Sequence, residues 1–298
     1  MTEPLPGLDP GPVGRWLAEQ EVGQPPFAFE LVAAGGSNLT YRVTDGAGAT
    51  TALRRPPEGR ALATAHDVDR EWRILTALAA VPEVPTPDPI ARCDDVEVTG
   101  APFYVMAFVD GAILRTAADA DELDSTAGTR AAESLVGVQA ALHALDVDEV
   151  GLGDLGRRTG YVDRQLRRWM TQVEQASARD LGAFTRVHRA LSDSAPTEDP
   201  TPALVHGDYR FDNVVLGADH AVAAVLDWEL CTLGDPAADA CWSLQYSATA
   251  QARSGRDGLR VGEEGRNVTS SPSSAQYCSD QHASAAGSPS VHSSQSRT

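Results

Sequence analysis

Hydrophobic and polar positions change their period twice along the chain. Near the start, Val13 to Leu17 form a short apolar-periodic piece inside a Pro- and Gly-rich stretch, which predicts one short helix. From Phe27 to Arg55 the pattern is that of strands. Phe27 to Val32, Leu39 to Thr44 and Thr50 to Arg55 carry β-branched and aromatic residues. Gly35-Gly36-Ser37-Asn38 and a turn at Asp45-Gly46 separate them, and Pro56-Pro57 stops the last. A helix follows, with Val68, Trp72, Leu75 and Leu78 at helical spacing behind a capping-box pattern, Thr64-Ala-His-Asp67. Pro82, Pro85, Pro87 and Pro89 make a stiff extended connection to two more expected strands, Ile90 to Val98 and Pro102 to Val109.

Residues 124–193 then read as helical. Leu135, Val138, Leu142 and Leu145 share one face of a first long helix, and Tyr161 to Val173 and Leu181 to Leu191 predict two more. Short β segments are expected at Ala203 to Val205, Val214 to Leu216 and Ala221 to Leu226, with a helix from Ala237 to Tyr246. After about Ala250 the apolar pattern stops. A tail rich in Ser, Gly, Gln, His and Arg cannot bury enough apolar surface to offset its ordering entropy, so disorder is expected there.

Composition narrows the function. A chain of 298 residues with 42% hydrophobic content suits one large domain or two lobes. No apolar run approaches a membrane span, and the start lacks a basic segment followed by an apolar one, so a cytoplasmic protein without a membrane partner is expected. A net charge of −18 argues against a nucleic-acid-binding surface. The four cysteines form no CxxC pair, which disfavours a zinc site and predicts buried free thiols. All 24 basic residues are arginine, so any role that lysine usually fills falls to arginine or goes unfilled.

The strongest chemical signal is His206-Gly-Asp208-Tyr-Arg210-Phe-Asp-Asn213. Phosphoryl transfer needs a carboxylate to orient and deprotonate the attacking hydroxyl, with cations and Mg²⁺ to neutralise the moving phosphoryl group. The string places His, Asp and Asn at the spacing of a kinase catalytic loop. On this reading Asp208 is the base, Asn213 a magnesium ligand through its amide oxygen, Arg210 a contact to the γ-phosphate, and His206 a loop-holding member of the catalytic motif. Asp227, ending an apolar strand just past a hairpin, is placed to face Asn213 as the second metal ligand. In Gly234-Asp-Pro-Ala-Ala-Asp239, Asp235 is expected to cap a helix, with a structural role for Asp239 as well.

Leu204 to Asn213 and Leu226-Asp-Trp-Glu-Leu-Cys-Thr-Leu-Gly-Asp-Pro236 resemble the aminoglycoside phosphotransferase-like family, in the branch related to the kinase-like domain of some acyl-CoA dehydrogenases. Gly36 to Tyr41, Leu53 to Pro57, Ala65-His-Asp67, Pro102 to Met106 and Gly160 to Gln165 extend the resemblance over roughly residues 27–250. It implies an α+β, bilobal protein-kinase-like fold. A nucleotide-binding lobe would occupy residues 27–108 and a catalytic and acceptor-binding lobe 109–250, between an extension at 1–26 and a disordered tail at 251–298. It further implies ATP or GTP and Mg²⁺ as cofactors, and transfer of the γ-phosphate to a hydroxyl of a small molecule.

By the same resemblance, Gly35, Gly36, Ser37 and Asn38 form the loop over the phosphates. Arg54, with Arg55 as alternate, replaces the phosphate-binding lysine, and Glu71 pairs with it. Met106 and Phe108 flank the adenine site. The abrupt end of the resemblance predicts a truncated or frame-shifted C-terminus. That keeps two alternatives open: an inactive or nucleotide-binding remnant of the fold, and a metal-dependent hydrolase.

Overall fold

Asp9 starts the first helix, α1 (Pro10–Glu19), by accepting a hydrogen bond from Gly11 N at 2.9 Å, with Pro10 in the first turn. The cap sets the helix start three residues ahead of the apolar stretch that predicted it. The computed structural model describes residues 5–35, 38–57, 61–176, 180–196 and 198–254, and for 61–67, 117 and 246–254 it describes the backbone alone. Strands β1 (Ala28–Ala34), β2 (Leu39–Thr44), β3 (Thr50–Arg55), β4 (Pro89–Cys93) and β5 (Phe103–Ala107) form one antiparallel sheet in the order β1-β2-β3-β5-β4.

The strand expected to reach Val98 ends at Cys93. The Asp95 carboxylate accepts from Glu97 N at 2.9 Å and opens a single helical turn, α3 (Val96–Thr99), which Gly100 closes. Both faces of the sheet are covered. Leu39, Tyr41, Val43, Leu53, Phe103 and Val105 pack with Val13 and Leu17 of α1. On the other face, Ala52, Tyr104 and Met106 join Val68, Ile74, Leu75 and Leu78 of α2 (Ala61–Leu78) in a larger core that continues into the rest of the chain. The backbone of α2 begins at Ala61, ahead of the expected cap at Thr64, whose side chain lies outside the described residues.

The second half is mainly helical: α4 (Ala117–Asp121), α5 (Ser125–Ala144), α6 (Tyr161–Ala176), α7 (Gly182–Asp193) and α8 (Pro236–Ser254). Two small antiparallel pairs sit among them. β6 (Ala203–Val205) joins β9 (Thr232–Gly234), and β7 (Val214–Leu216) joins β8 (Val222–Val225). The architecture is the α+β, bilobal kinase-like one.

Helix α5 forms the spine of the larger core through Ala131, Leu135, Val138 and Leu142. Leu142 is fully buried. Leu142→Ala is therefore expected to cost about 2–5 kcal/mol in urea unfolding, with an unchanged m-value.

Arginines of α2 tie the sheet to the helical half. Arg70 Nε donates to Cys231 O at 2.9 Å, and Arg73 Nη2 donates to Gly151 O at 2.7 Å. Helices α6 and α7 bury no residue, and Trp169, Val187 and Leu191 are exposed on them. Cys93 and Cys231 are buried as expected, but Cys241 is exposed, a correction, because it falls on the outer side of α8. Cys278 lies outside the described residues. The expected tail disorder also falls mainly outside them, and α8 continues past Ala250 to Ser254. No helix among the described residues is long and apolar enough to cross a membrane.

Candidate active site

A cleft of about 850 Å³ runs between the sheet and the helical half, with Arg54, Met106, Asp208, Asn213, Asp227 and Trp242 among its walls. The sheet register builds its upper side. Arg54 pairs with Tyr104 across β3 and β5, so the two side chains stand together and both reach Glu71 on α2. Arg54 Nε lies 2.8 Å from Glu71 Oε2, Tyr104 OH donates to the same oxygen at 2.6 Å, and Asn38 Nδ2 donates to Glu71 Oε1 at 2.9 Å. Arg54 also forms an ion pair with Asp227.

Arg54 Nε approaches Glu71 without a well-directed hydrogen bond, and Arg54 Nη2 donates to Glu71 Oε1 at 3.4 Å. Burial raises the Glu71 pKa; Arg54 pulls it down, and neighbouring Asp227 pushes it up again, leaving it above the ordinary value. Burial also opposes the charge on Arg54, but Glu71 and Asp227 outweigh it and hold the guanidinium pKa well above its usual range.

Strand alternation separates the two arginines named for the lysine position. Arg54 faces the cleft. Arg55 points to the opposite face, fully buried, where its Nε donates to Pro56 O at 2.9 Å. Gly35 lines the cleft, whereas Gly36 and Ser37 lie outside the described residues. Asn38 turns its amide down onto Glu71 and Glu229. Met106 and Phe108 both line the cleft, and the Arg42 guanidinium stacks 4.2 Å from the Phe108 ring centroid.

The lower side is the loop from His206 to Asn213. Gly207 adopts φ +85°, and a Cβ there would lie 2.9 Å from Leu230 O, so only glycine fits. The His206 ring packs between Trp228 and Tyr209, at centroid distances of 4.8 and 5.8 Å. His206 Nε2 lies 2.8 Å from Leu226 O, and Asp208 N donates to His206 Nδ1 at 3.3 Å. A carbonyl cannot donate, so these partners assign the proton to Nε2. His206 thereby joins the loop to the segment that leads into Asp227.

Asp208 is held by three donors. Asn213 Nδ2 and Arg210 Nε reach its Oδ2 at 2.9 and 3.1 Å, and Trp242 Nε1 reaches its Oδ1 at 2.9 Å. Asn213 Nδ2 also donates to Asp208 O at 2.8 Å. Arg210 pairs with Asp212 at 2.8 Å as well. Burial raises the Asp212 pKa, and Arg210 only partly reverses this.

Asp227 sits at φ +65°, ψ +60°, a left-handed conformation that aspartate tolerates better than most residues. The turn buries Trp228 while Asp227 stays beside Arg54. Glu71, Asp227 and Glu229 bring carboxylate oxygens within 4.8 Å of one another. Asn213 commits its amide nitrogen to Asp208, leaving its Oδ1 as a further oxygen donor. A set of hard oxygen donors fits a magnesium ion.

Sequence reasoning missed four members of this network: Tyr104 on Glu71, Glu229 beside Asn38, Trp242 on Asp208 and His143 on Asp239. Asp235 caps α8 through Ala237 N at 2.9 Å. Asp239 anchors the loop. It accepts from Gly207 N at 2.8 Å and His206 N at 3.2 Å, and it contacts His143 Nε2 at 2.9 Å. Only Trp242 carried a usable signal, lying three residues after Asp239 and hence on the same helical face.

A family model described as the phosphotransferase enzyme family matches residues 28–269. Acyl-CoA dehydrogenase family member 11 of Gallus gallus is 37% identical over 247 residues, a match covering 80% of this chain and 31% of that protein. The chain thus corresponds to about a third of that relative's length. A solved Ralstonia eutropha JMP134 structure, provisionally assigned as an aminoglycoside phosphotransferase, superposes with a TM-score of 0.69 at 29% identity, covering 93% of this chain and 80% of that one. The GDP and kanamycin complex of APH(2'')-IIIa gives a TM-score of 0.62 at 16% identity over 83% of each chain, a likeness of fold.

Proposed function

The chain belongs to the phosphotransferase enzyme family, and from that premise we propose that it is a magnesium-dependent kinase moving the γ-phosphate of ATP or GTP to a hydroxyl of a small molecule. The observation that carries this reading is Asp208. Its carboxylate is fixed at the cleft wall by Asn213, Arg210 and Trp242, on the loop that Asp239 clamps. In this reading residues 27–108 form the nucleotide-binding lobe and 109–250 the catalytic and acceptor-binding lobe.

Asp208 orients the acceptor hydroxyl and takes its proton as the O–H bond breaks. The alcohol oxygen bonds to the γ-phosphorus, and the bond to the bridging oxygen breaks, releasing the nucleoside diphosphate. Arg54, held against Glu71, is the cation for the α- and β-phosphates. Arg210 lies beside the γ-phosphate position. Asn213 and Asp227 would hold the metal, which when bound neutralises charge on the phosphates. Gly35 and Asn38 line the cleft on the phosphate side, and Met106 and Phe108 border the base.

The test is nucleotide consumption by purified protein with Mg²⁺ and ATP or GTP. The acceptor panel comprises aminoglycosides, hydroxyacyl-CoA esters, sugars and choline-type alcohols. The expected result is stoichiometric nucleoside diphosphate and an acceptor heavier by one phosphoryl group. Nucleotide binding without consumption across the panel would make the chain a nucleotide-binding remnant. Metal-dependent hydrolysis that needs no nucleotide would make it a hydrolase.

A further inference from the structure

One helix face holds the catalytic loop at successive residues. On α8, Asp239 accepts from the amides of residues 206 and 207, Trp242 donates to the side chain of Asp208, and Ser243 Oγ donates to Tyr209 O at 2.8 Å. Positions 239, 242 and 243 are spaced i, i+3 and i+4, so they fall on one side of the helix. Gln139 Nε2 donates to Ser243 Oγ at 3.0 Å and ties this face back to α5.

The Asp208 carboxylate has about four lone-pair positions. Among the described residues, Oδ2 receives two donors, Asn213 and Arg210, while Oδ1 receives Trp242 alone. One lone pair therefore remains, on the oxygen that the indole holds. Both Trp242 and Asp208 line the cleft.

We propose that Trp242 is a positioning residue whose indole N–H fixes the Asp208 carboxylate so that Oδ1 is the atom that receives the acceptor proton. This rests on Asp208 being the base of the proposed phosphotransfer. The indole saturates one side of Oδ1 and leaves its other side for the substrate hydroxyl. The carboxylate then needs no rotation at the moment of proton transfer. An aromatic ring without the N–H would keep the cleft wall and release the carboxylate.

The test joins a spectroscopic readout to kinetics. The five tryptophans give five indole N–H resonances in a ¹⁵N correlation spectrum, and Trp242→Phe identifies one by its loss. Asp208→Ala is expected to move that resonance upfield and speed its exchange, leaving the other four in place. With ATP or GTP and water as acceptor, Trp242→Phe is expected to lower kcat about tenfold with nucleotide KM unchanged, the effect of losing one charge-assisted hydrogen bond. A Trp242 resonance indifferent to Asp208→Ala, or a Trp242→Phe kcat within twofold of the parent, overturns the proposal and leaves the phosphotransfer reading standing. A responding resonance in a parent protein that turns over no nucleotide with water or with any acceptor of the panel fails the phosphotransfer reading, and reduces the indole contact to a structural one.

Discussion

Asp208→Asn is expected to lower phosphotransfer turnover by about 10³-fold while leaving nucleotide affinity within a few-fold of the parent. The substitution is nearly isosteric, so the loop keeps its shape, yet the carboxamide cannot accept the acceptor's proton at neutral pH. Geometry adds to the loss. Two donors, Asn213 Nδ2 and Arg210 Nε, converge on Oδ2 and force the amide oxygen to that side. The amide NH₂ then faces the Trp242 indole N–H, donor against donor. Nucleotide binding, by contrast, draws on Arg54, Met106 and Phe108, which line the cleft away from the Asp208 hydrogen-bond network. Single-turnover rates beside equilibrium nucleotide titration separate the two effects. Unchanged rates in the variant would remove Asp208 from the mechanism.

Asp239→Ala is expected to destabilise the fold by about 3–5 kcal/mol and to abolish activity with it. The residue is 3% exposed and serves as acceptor for two backbone amides and for His143. Removing it leaves the buried His206 amide and the partly buried Gly207 amide and His143 ring without that acceptor. The same contacts predict a pH dependence. Burial opposes the Asp239 charge, but His143, the Gly207 amide and His206 outweigh it and hold the pKa below the ordinary carboxylate value.

The folded pKa is therefore depressed relative to the unfolded chain, where an aspartate titrates near about 3.9. The stabilisation is fully present above that value and is lost as pH falls through the folded pKa. The thermal unfolding midpoint across that acid window should fall more steeply with pH in the parent than in Asp239→Asn, because other aspartates with lowered pKa values contribute to both. Equal slopes would mean that Asp239 is not the titrating group.

The residue types of the loop were legible in the sequence because they recur at fixed spacing. A carboxylate and an amide five residues apart, followed by a strand ending in aspartate, can be read without knowing where the chain goes. The strands of the sheet were legible from β-branched and aromatic residues bounded by glycine, proline and turn signals. Leu39–Thr44 and Thr50–Arg55 match the expected strands end for end. Element ends were less legible where a side chain overrides the apolar pattern. Asp9 extends α1 upstream, and Asp95 converts an expected strand end into a helical turn.

By itself the sequence determined the order of elements, the residue types available for phosphoryl chemistry and the assignment of every cationic role to arginine. Only the tertiary structure decided which arginine faces the cleft, because that depends on which face of the sheet turns toward the helical half. It also decided that Tyr104 shares Glu71 with Arg54, through the β3–β5 register, and that Trp242 and Asp239 hold a loop some thirty residues earlier in the chain. Those contacts arise from side chains far apart along the chain that burial forces to find hydrogen-bond partners, and no local spacing encodes which partner each will meet.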